Sequence, residues 1–370
     1  MPKTPEGALA DKLFPSEEPH ADSILSIPPE QRRLHTETYD FSIATIYDKL
    51  NSREKSLFIP EFQRGYVWKK PQASRLIESL IIQCPIPVIY LSQERDERLS
   101  VIDGNQRLQS IRKFLNNEFE LSGLTAYPEL DGLKFEELDP RFQRHILNRT
   151  LRCIVIMKDT HPQVKFDVFE RLNSGAIELS PQELRHGIFH GPFVEWVGRT
   201  ARREEWRRLV HAGNNKRMKA EEFLIRFLAL QTDFEHYEKP LAGYLNSFTE
   251  RNRDASQDQL QDFLAVFDRT TAAVEALLGG AAFAIFDVHH NNRIVSSFNA
   301  ALFDAEMVAV SRSGLTAQNI REPNRAAFHS DLGELFYDEE FQRTISRATS
   351  DEERVRTRIT SMRQLISQHF

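Results

Sequence analysis

The run Ile102-Asp103-Gly104-Asn105-Gln106-Arg107-Leu108 holds the residues best suited to chemistry in this chain. Leu99-Ser100-Val101-Ile102 reads as a strand, and Leu108, Ile111 and Leu115 recur at helical spacing, so the run is a strand that breaks at a glycine and opens a helix. The first turn of a helix presents unpaired amide N–H groups and about half a positive charge, and together these attract anions. Gly104 lets the backbone approach an oxyanion with no Cβ in the way. Arg107 brings a planar fork of donors that matches phosphate oxygens. Asn105 and Gln106 add neutral donors and acceptors. Asp103 stands where it can orient Arg107, hold a metal through water, or cap the helix. Asp103 and Arg107 are the candidate catalytic pair. The plainer alternative is an ordinary N-cap at Asp103 and a solvated Arg107.

A second place of interest is basic. Arg199, Arg202, Arg203, Arg207 and Arg208 have Trp196 and Trp206 interleaved, and Lys216, Arg217 and Lys219 follow. Of these, Arg202, Arg203, Arg207, Arg208, Lys216 and Arg217 are the expected contacts to a DNA backbone. Glu204 and Glu205 interrupt the cluster, so a solvated helix face is the competing reading. His186 and His190 are spaced to bridge a metal on one helix face, but Gly187 and Gly191 weaken that helix and no third ligand is evident. Asp287-Val288-His289-His290-Asn291-Asn292 invites a His-Asn-His nuclease reading. The chain after Asn292 reads as a plain amphipathic helix, so neither a nuclease nor a metal site is expected.

The elements that must position these residues follow from periodicity and breakers. Residues 1–35 hold six of the 17 prolines and no apolar period, which reads as a flexible arm. Phe41 to Leu50 suits a short helix. Pro60 and Gly65 give loop or short-strand geometry around 58–68. Pro71 opens a helix whose apolar stripe runs through Ala73, Leu76, Ile77, Leu80 and Ile81. Val88–Leu91 and Leu99–Ile102 read as a hairpin, and Cys153–Met157 as a buried central strand. Beyond residue 160 strand signals fade. Helices are expected after the capping box Ser180-Pro181-Gln182-Glu183 and over 220–231, 257–278, 294–311 and 351–368; the polar stretch 249–257 reads as a hinge. The expected fold is α+β: an arm (1–35), an α+β domain (36–160), a helical subdomain (161–250) and a C-terminal helical region (251–370).

Bulk composition excludes several classes. The 370 residues are 40% hydrophobic and 28% charged, as in an ordinary globular protein. No apolar run reaches the roughly 18 residues of a membrane span, and Met1-Pro2-Lys3-Thr4-Pro5 lacks a secretory apolar stretch. Cys84 and Cys153 alone give no disulfide scaffold or zinc site, and the cytoplasm is the default compartment. The net charge of −6 argues against a bulk electrostatic nucleic-acid binder, while leaving room for local basic patches.

Three blocks together carry a family resemblance. Asp103-Gly104-Asn105-Gln106-Arg107-Leu108 resembles the Asp-Gly-Gln-Gln-Arg-Leu motif of the N-terminal domain of GmrSD restriction systems. Phe62-Gln63-Arg64-Gly65-Tyr66-Val67-Trp68 resembles that family's Gln-Arg-x-Tyr-x-Trp motif, and Phe169-Glu170-Arg171-Leu172-Asn173-Ser174-Gly175 with Leu179–Arg185 its third block. Asn105 stands where the family has a glutamine, and Gln109-Ser110 where Thr-Thr is common. The resemblance covers roughly residues 36–250. It implies a ParB/sulfiredoxin-like fold whose Gly-x-x-Arg loop holds nucleotide phosphates, and nucleotide-dependent action on DNA. Read physically, Gln63 and Arg64 add a second phosphate contact. Tyr66 and Trp68 stack on a base or pack as core. Arg171 and Asn173 close the pocket, or Asn173-Ser174-Gly175 is a helix C-cap turn.

The function expected is a nucleotide-binding, NTP-hydrolysing component of an anti-phage or restriction system. Mg2+ would assist, and an effector or nuclease subunit would do the cutting. The alternatives are a non-catalytic nucleotide-gated DNA clamp of ParB type and a stand-alone endonuclease. The cofactor expected is an NTP; the expected partners are DNA and that subunit, with homo-oligomers open and no membrane.

Overall fold

A computed structural model describes residues 33–60, 65–172 and 180–370, apart from the side chain of Lys216. Thr36–Ser42 (β1), Leu57–Phe58 (β2), Ile89–Gln93 (β3), Leu99–Asp103 (β4) and Thr150–Ile156 (β5) form one mixed sheet in the order β1-β5-β3-β4-β2. The β3–β4 pair is the expected hairpin, and β5 lies between β1 and β3, parallel to β3. Side chains alternate across the sheet, as the two-residue strand period requires. Ile89, Leu91, Val101, Leu151, Cys153 and Val155 join one core with helices Ile43–Asn51 (α1), Lys70–Ile81 (α2), Asn105–Leu115 (α3) and Pro140–Asn148 (α4). Ile102 and Ile156 point the other way, into a second core built by the rest of the chain.

That second core is helical: Pro162–Leu172 (α5), Pro181–Ile188 (α6), Pro192–Thr200 (α7), Glu204–Leu209 (α8), Lys219–Asp233 (α9), Leu241–Arg251 (α10) and Gln257–Leu278 (α11) enter it first. Ala300–Ser313 (α12), Glu322–Leu335 (α13), Glu339–Ser346 (α14) and Glu352–His369 (α15) complete it. One hydrophobic cluster runs through these helices as far as Ile366. The fold is therefore α+β with a helical C-terminal region. Among the described residues no helix is long and apolar enough to cross a membrane.

Local chemistry explains the boundaries. Ser180 Oγ accepts from Glu183 N at 3.2 Å while Glu183 Oε2 accepts from Ser180 N at 2.6 Å, the expected reciprocal cap of α6. Ser256 and Gln259 repeat the arrangement on α11.

Four expectations change. Thr36–Ser42 is a strand, so Phe41 is extended and α1 starts at Ile43. The helix expected from Ile294 starts at Ala300. Asn291 and Asn292 both take positive φ, 55° and 54°, and reverse the chain so that Arg293–Ser296 (β7) pairs with Ile285–Asp287 (β6). Asn299 Oδ1 then caps α12 by accepting from Ala301 N and Leu302 N, both at 2.9 Å. The stretch read as a hinge is anchored: Arg253 Nε donates to His190 O at 2.7 Å, and Arg253 O accepts from Phe193 N at 3.3 Å. Helices α13 and α14 had no counterpart in the sequence reading.

Candidate anion-binding cleft

Gly104 sits between β4 and α3 with φ +102°, a conformation that side chains disfavour. A Cβ there would lie 2.4 Å from Ile89 Cδ1 and 3.4 Å from Arg107 Nη2, so the position also demands glycine by volume. Asp103 makes no cap to α3. Its Oδ2 accepts from Arg107 Nη2 at 2.6 Å, so the orienting role is the one adopted. Arg107 also donates to Pro87 O, and to Val88 O at 3.1 Å, and its side chain is 12% exposed. The guanidinium thereby ties the end of β4 to the segment that enters β3.

Gln106 joins two of the sequence blocks. Its Oε1 accepts from Val67 N at 2.9 Å and Trp68 N at 3.2 Å, and its Nε2 donates to Gly65 O at 3.3 Å. Tyr66 lies along α3, with its hydroxyl 3.0 Å from Ser110 Oγ and the Lys113 ammonium 5.3 Å from its ring centre. Trp68 packs on the N-terminal core. Replacing Gln106 by alanine should free the 65–68 segment while costing the domain only about 1–3 kcal/mol. Hydrogen exchange at the Val67 and Trp68 amides should accelerate well beyond that at α3 amides; equal rates at both would mean the clamp is not made.

Elsewhere the expected residues scatter. Gln63, Arg64 and Asn173 lie outside the described residues. Asn105 Oδ1 accepts from Gln109 Nε2 at 2.6 Å. Arg171 is 77% exposed and pairs with Asp167 at 3.2 Å. In the basic cluster, Arg203 pairs with Asp268, Arg208 with Glu275 at 2.9 Å, and Arg207 donates to Gly213 O. Arg217 takes φ +65°, and its carbonyl accepts from Ser180 Oγ at 3.0 Å. Arg202 is exposed and lines a cleft.

That cleft, about 790 Å³, separates the N-terminal unit from α6 and α7. Among the described residues its walls carry Lys55, Arg98, Arg112, Arg199 and Arg202 against one carboxylate, Glu195. Glu195 in turn lies 3.5 Å from His190 and 3.9 Å from Arg199. His186 adds no charge at neutral pH, because burial pulls its imidazole down to about 4. Arg112 had a sequence signal: Asn105, Gln109 and Arg112 fall at i, i+4 and i+7, one face of α3. Arg107 faces away from that wall, towards Pro87. Nothing in the local sequence marks Arg98 or Lys55.

Residues 43–190 match the family described as "GmrSD restriction endonuclease, N-terminal domain". They form a GmrSD N-terminal domain. All three sequence blocks fall inside this segment, and so does the cleft wall formed by Lys55, Arg98 and Arg112. The opposite wall at Glu195, Arg199 and Arg202 comes from beyond the GmrSD match. No curated protein matches the chain.

Among the described residues no three His, Cys, Asp or Glu side chains are placed to hold a metal, and Asp103 is committed to Arg107. The region of the His-Asn-His reading has its own contacts. Strands β6 and β7 followed by α12 give strand, strand and helix in order, but Asp304 and Glu306 on that helix are buried, and Asp304 is bound to arginines. Asp287 instead bonds His290 Nδ1 at 2.7 Å and the Tyr337 hydroxyl at 2.5 Å.

Proposed function

We propose that the chain is the nucleotide-binding component of a cytoplasmic restriction or anti-phage system, with DNA cutting supplied by a partner subunit. The GmrSD match supports the restriction setting. The observation that carries nucleotide binding is the cleft, where, among the described residues, five cationic side chains face one carboxylate. Its volume suits a nucleotide. Arg112, Arg199 and Arg202 neutralise the phosphates, and Arg98 closes the far end while stacked 4.9 Å above Phe58. Gln106 holds the 65–68 segment, whose Gly65 lines the cleft, while Asp103 and Arg107 brace the Gly104 turn that opens α3.

The test is a thermal-shift titration of ATP, GTP, CTP and UTP, with and without Mg2+. A nucleotide at a hundredfold excess over its dissociation constant should add about 2.7 kcal/mol of apparent stability. Arg112→Ala and Arg202→Ala should each weaken binding at least about tenfold, and added salt should weaken it further. Absence of a shift with all four nucleotides would remove this reading.

A second reading, a DNA clamp gated by nucleotide without turnover, draws on the exposure of Arg199 and Arg202. Arg203 and Arg208 favour it less, since carboxylates of α11 already neutralise them. Steady-state phosphate release separates the two: turnover stimulated by DNA fits the first, and nucleotide-dependent DNA retention without release fits the second.

A further inference from the structure

A separate cavity of about 480 Å³ opens at the other end of β4, between the tip of the β3–β4 hairpin, the start of α5 and the end of α10. Lys165, Arg253 and Glu94 line it. Lys165 is 8% exposed, and its backbone N–H donates to His161 O at 3.0 Å. Its ammonium has no hydrogen-bond or ion-pair partner among the described residues. Arg253 uses Nε on His190 O, and its two Nη groups likewise have no partner among the described residues. Glu94 accepts from Ser100 Oγ at 2.6 Å and is bound to neither cation.

The charges around this space do not close on themselves. Lys158 is paired with Glu97 and Arg95 with Asp254 at 2.7 Å, while Asp159 lies 2.6 Å from His35 Nδ1 and adds its negative charge to the rim. Arg33 and Glu250 offset one another in sign. The Lys165 ammonium and the Arg253 guanidinium both line this void, and no ion pair joins either of them to Glu94 or Asp159. A buried cation without a counter-charge is destabilising by several kcal/mol, and a fold that keeps one facing a cavity has room for the missing anion. We propose that this cavity is a ligand site for a small oxyanion, a phosphate or carboxylate group, held between Lys165 and Arg253. Burial lowers the Lys165 ammonium from its usual range, against the opposing pull of Glu94, and burial raises the Glu94 carboxyl. Both shifts are those of groups held away from water with no opposite charge in contact.

The site is independent of the nucleotide reading, and the test keeps them apart. The full chain is titrated calorimetrically with inorganic phosphate and, separately, with acetate, at constant ionic strength set by chloride. The Arg199→Ala/Arg202→Ala variant, which disables the cleft, should retain binding of one or both anions. Adding Lys165→Met should weaken that binding at least about tenfold, and Arg253→Gln should do the same. Lys165→Met removes an unpaired charge, so it should fold with unchanged circular dichroism, and Lys165→Arg should preserve affinity. Stronger binding of phosphate or of acetate identifies the ligand class. If neither anion binds the cleft-disabled protein, or if binding ignores both Lys165→Met and Arg253→Gln, the proposal is overturned.

Discussion

Gly104→Ala should destabilise the protein by about 2–5 kcal/mol, the sum of a left-handed backbone penalty of about 1–2 and an overpacking cost of about 1–3. Both terms are visible at one residue: φ is +102°, and the new methyl would meet Ile89 Cδ1 at 2.4 Å. Ile89 is wholly buried in the N-terminal core and cannot swing into solvent. The methyl would also press on Arg107 Nη2 and disturb the link from Asp103 to the Pro87–Val88 carbonyls. Urea denaturation should show a lower midpoint at unchanged slope. Shortening the neighbour, in Gly104→Ala/Ile89→Val, should recover the steric part and leave the backbone part, so the double mutant should be more stable than additivity predicts. An unchanged midpoint for Gly104→Ala would contradict this geometry.

Asp304→Ala should be at least as damaging, at about 3–5 kcal/mol. Asp304, on α12, is completely buried and accepts from Arg226 Nε at 2.5 Å, Arg226 Nη2 at 2.6 Å and Arg358 Nη2 at 2.5 Å. These three residues knit α9, α12 and α15 together. Removing the carboxylate leaves two guanidinium groups in an apolar core with no counter-charge. The loss should therefore appear as unfolding of the helical region, read by far-ultraviolet circular dichroism against temperature. Replacing all three residues by apolar side chains of similar volume should restore much of the stability, because the desolvation cost disappears with the charges. A triple variant no better than Asp304→Ala would show that these ions supply more than mutual neutralisation.

How much of this was legible in the sequence depended on the range of the signal. The limits expected for α11, 257–278, match the structure, where Ser256 and Gly279 cap it locally. The strand, glycine and helix around Gly104 were legible for the same reason. Three motif blocks in order pointed to the GmrSD domain, but not to Gln106 as the residue that holds two of them together. The paired strands at 285–296 were missed because Ile294, Val295 and Phe298 mimic a helical period, whereas Asn291 and Asn292 decide the matter through their backbone angles. The cleft was least legible. Arg98 comes from a hairpin, Arg112 from α3 and Arg199 from α7, and only tertiary packing makes them neighbours. Arg203 and Arg208 illustrate the converse. They looked like free basic charge, and their partners Asp268 and Glu275 lie more than sixty residues away in sequence.

The alternation of side chains across the central sheet has a consequence for anyone dissecting the molecule. Strands β4 and β5 send Val101 and Val155 into one core but Ile102 and Ile156 into another. The two surfaces of a single sheet owe their dryness to different stretches of polypeptide. A fragment cut after β5 would expose the aliphatic strip of Ile102 and Ile156 that the helical core covers, inviting self-association. The helical region serves as the lid of the α+β layer, and a soluble excised unit would have to carry part of that lid with it.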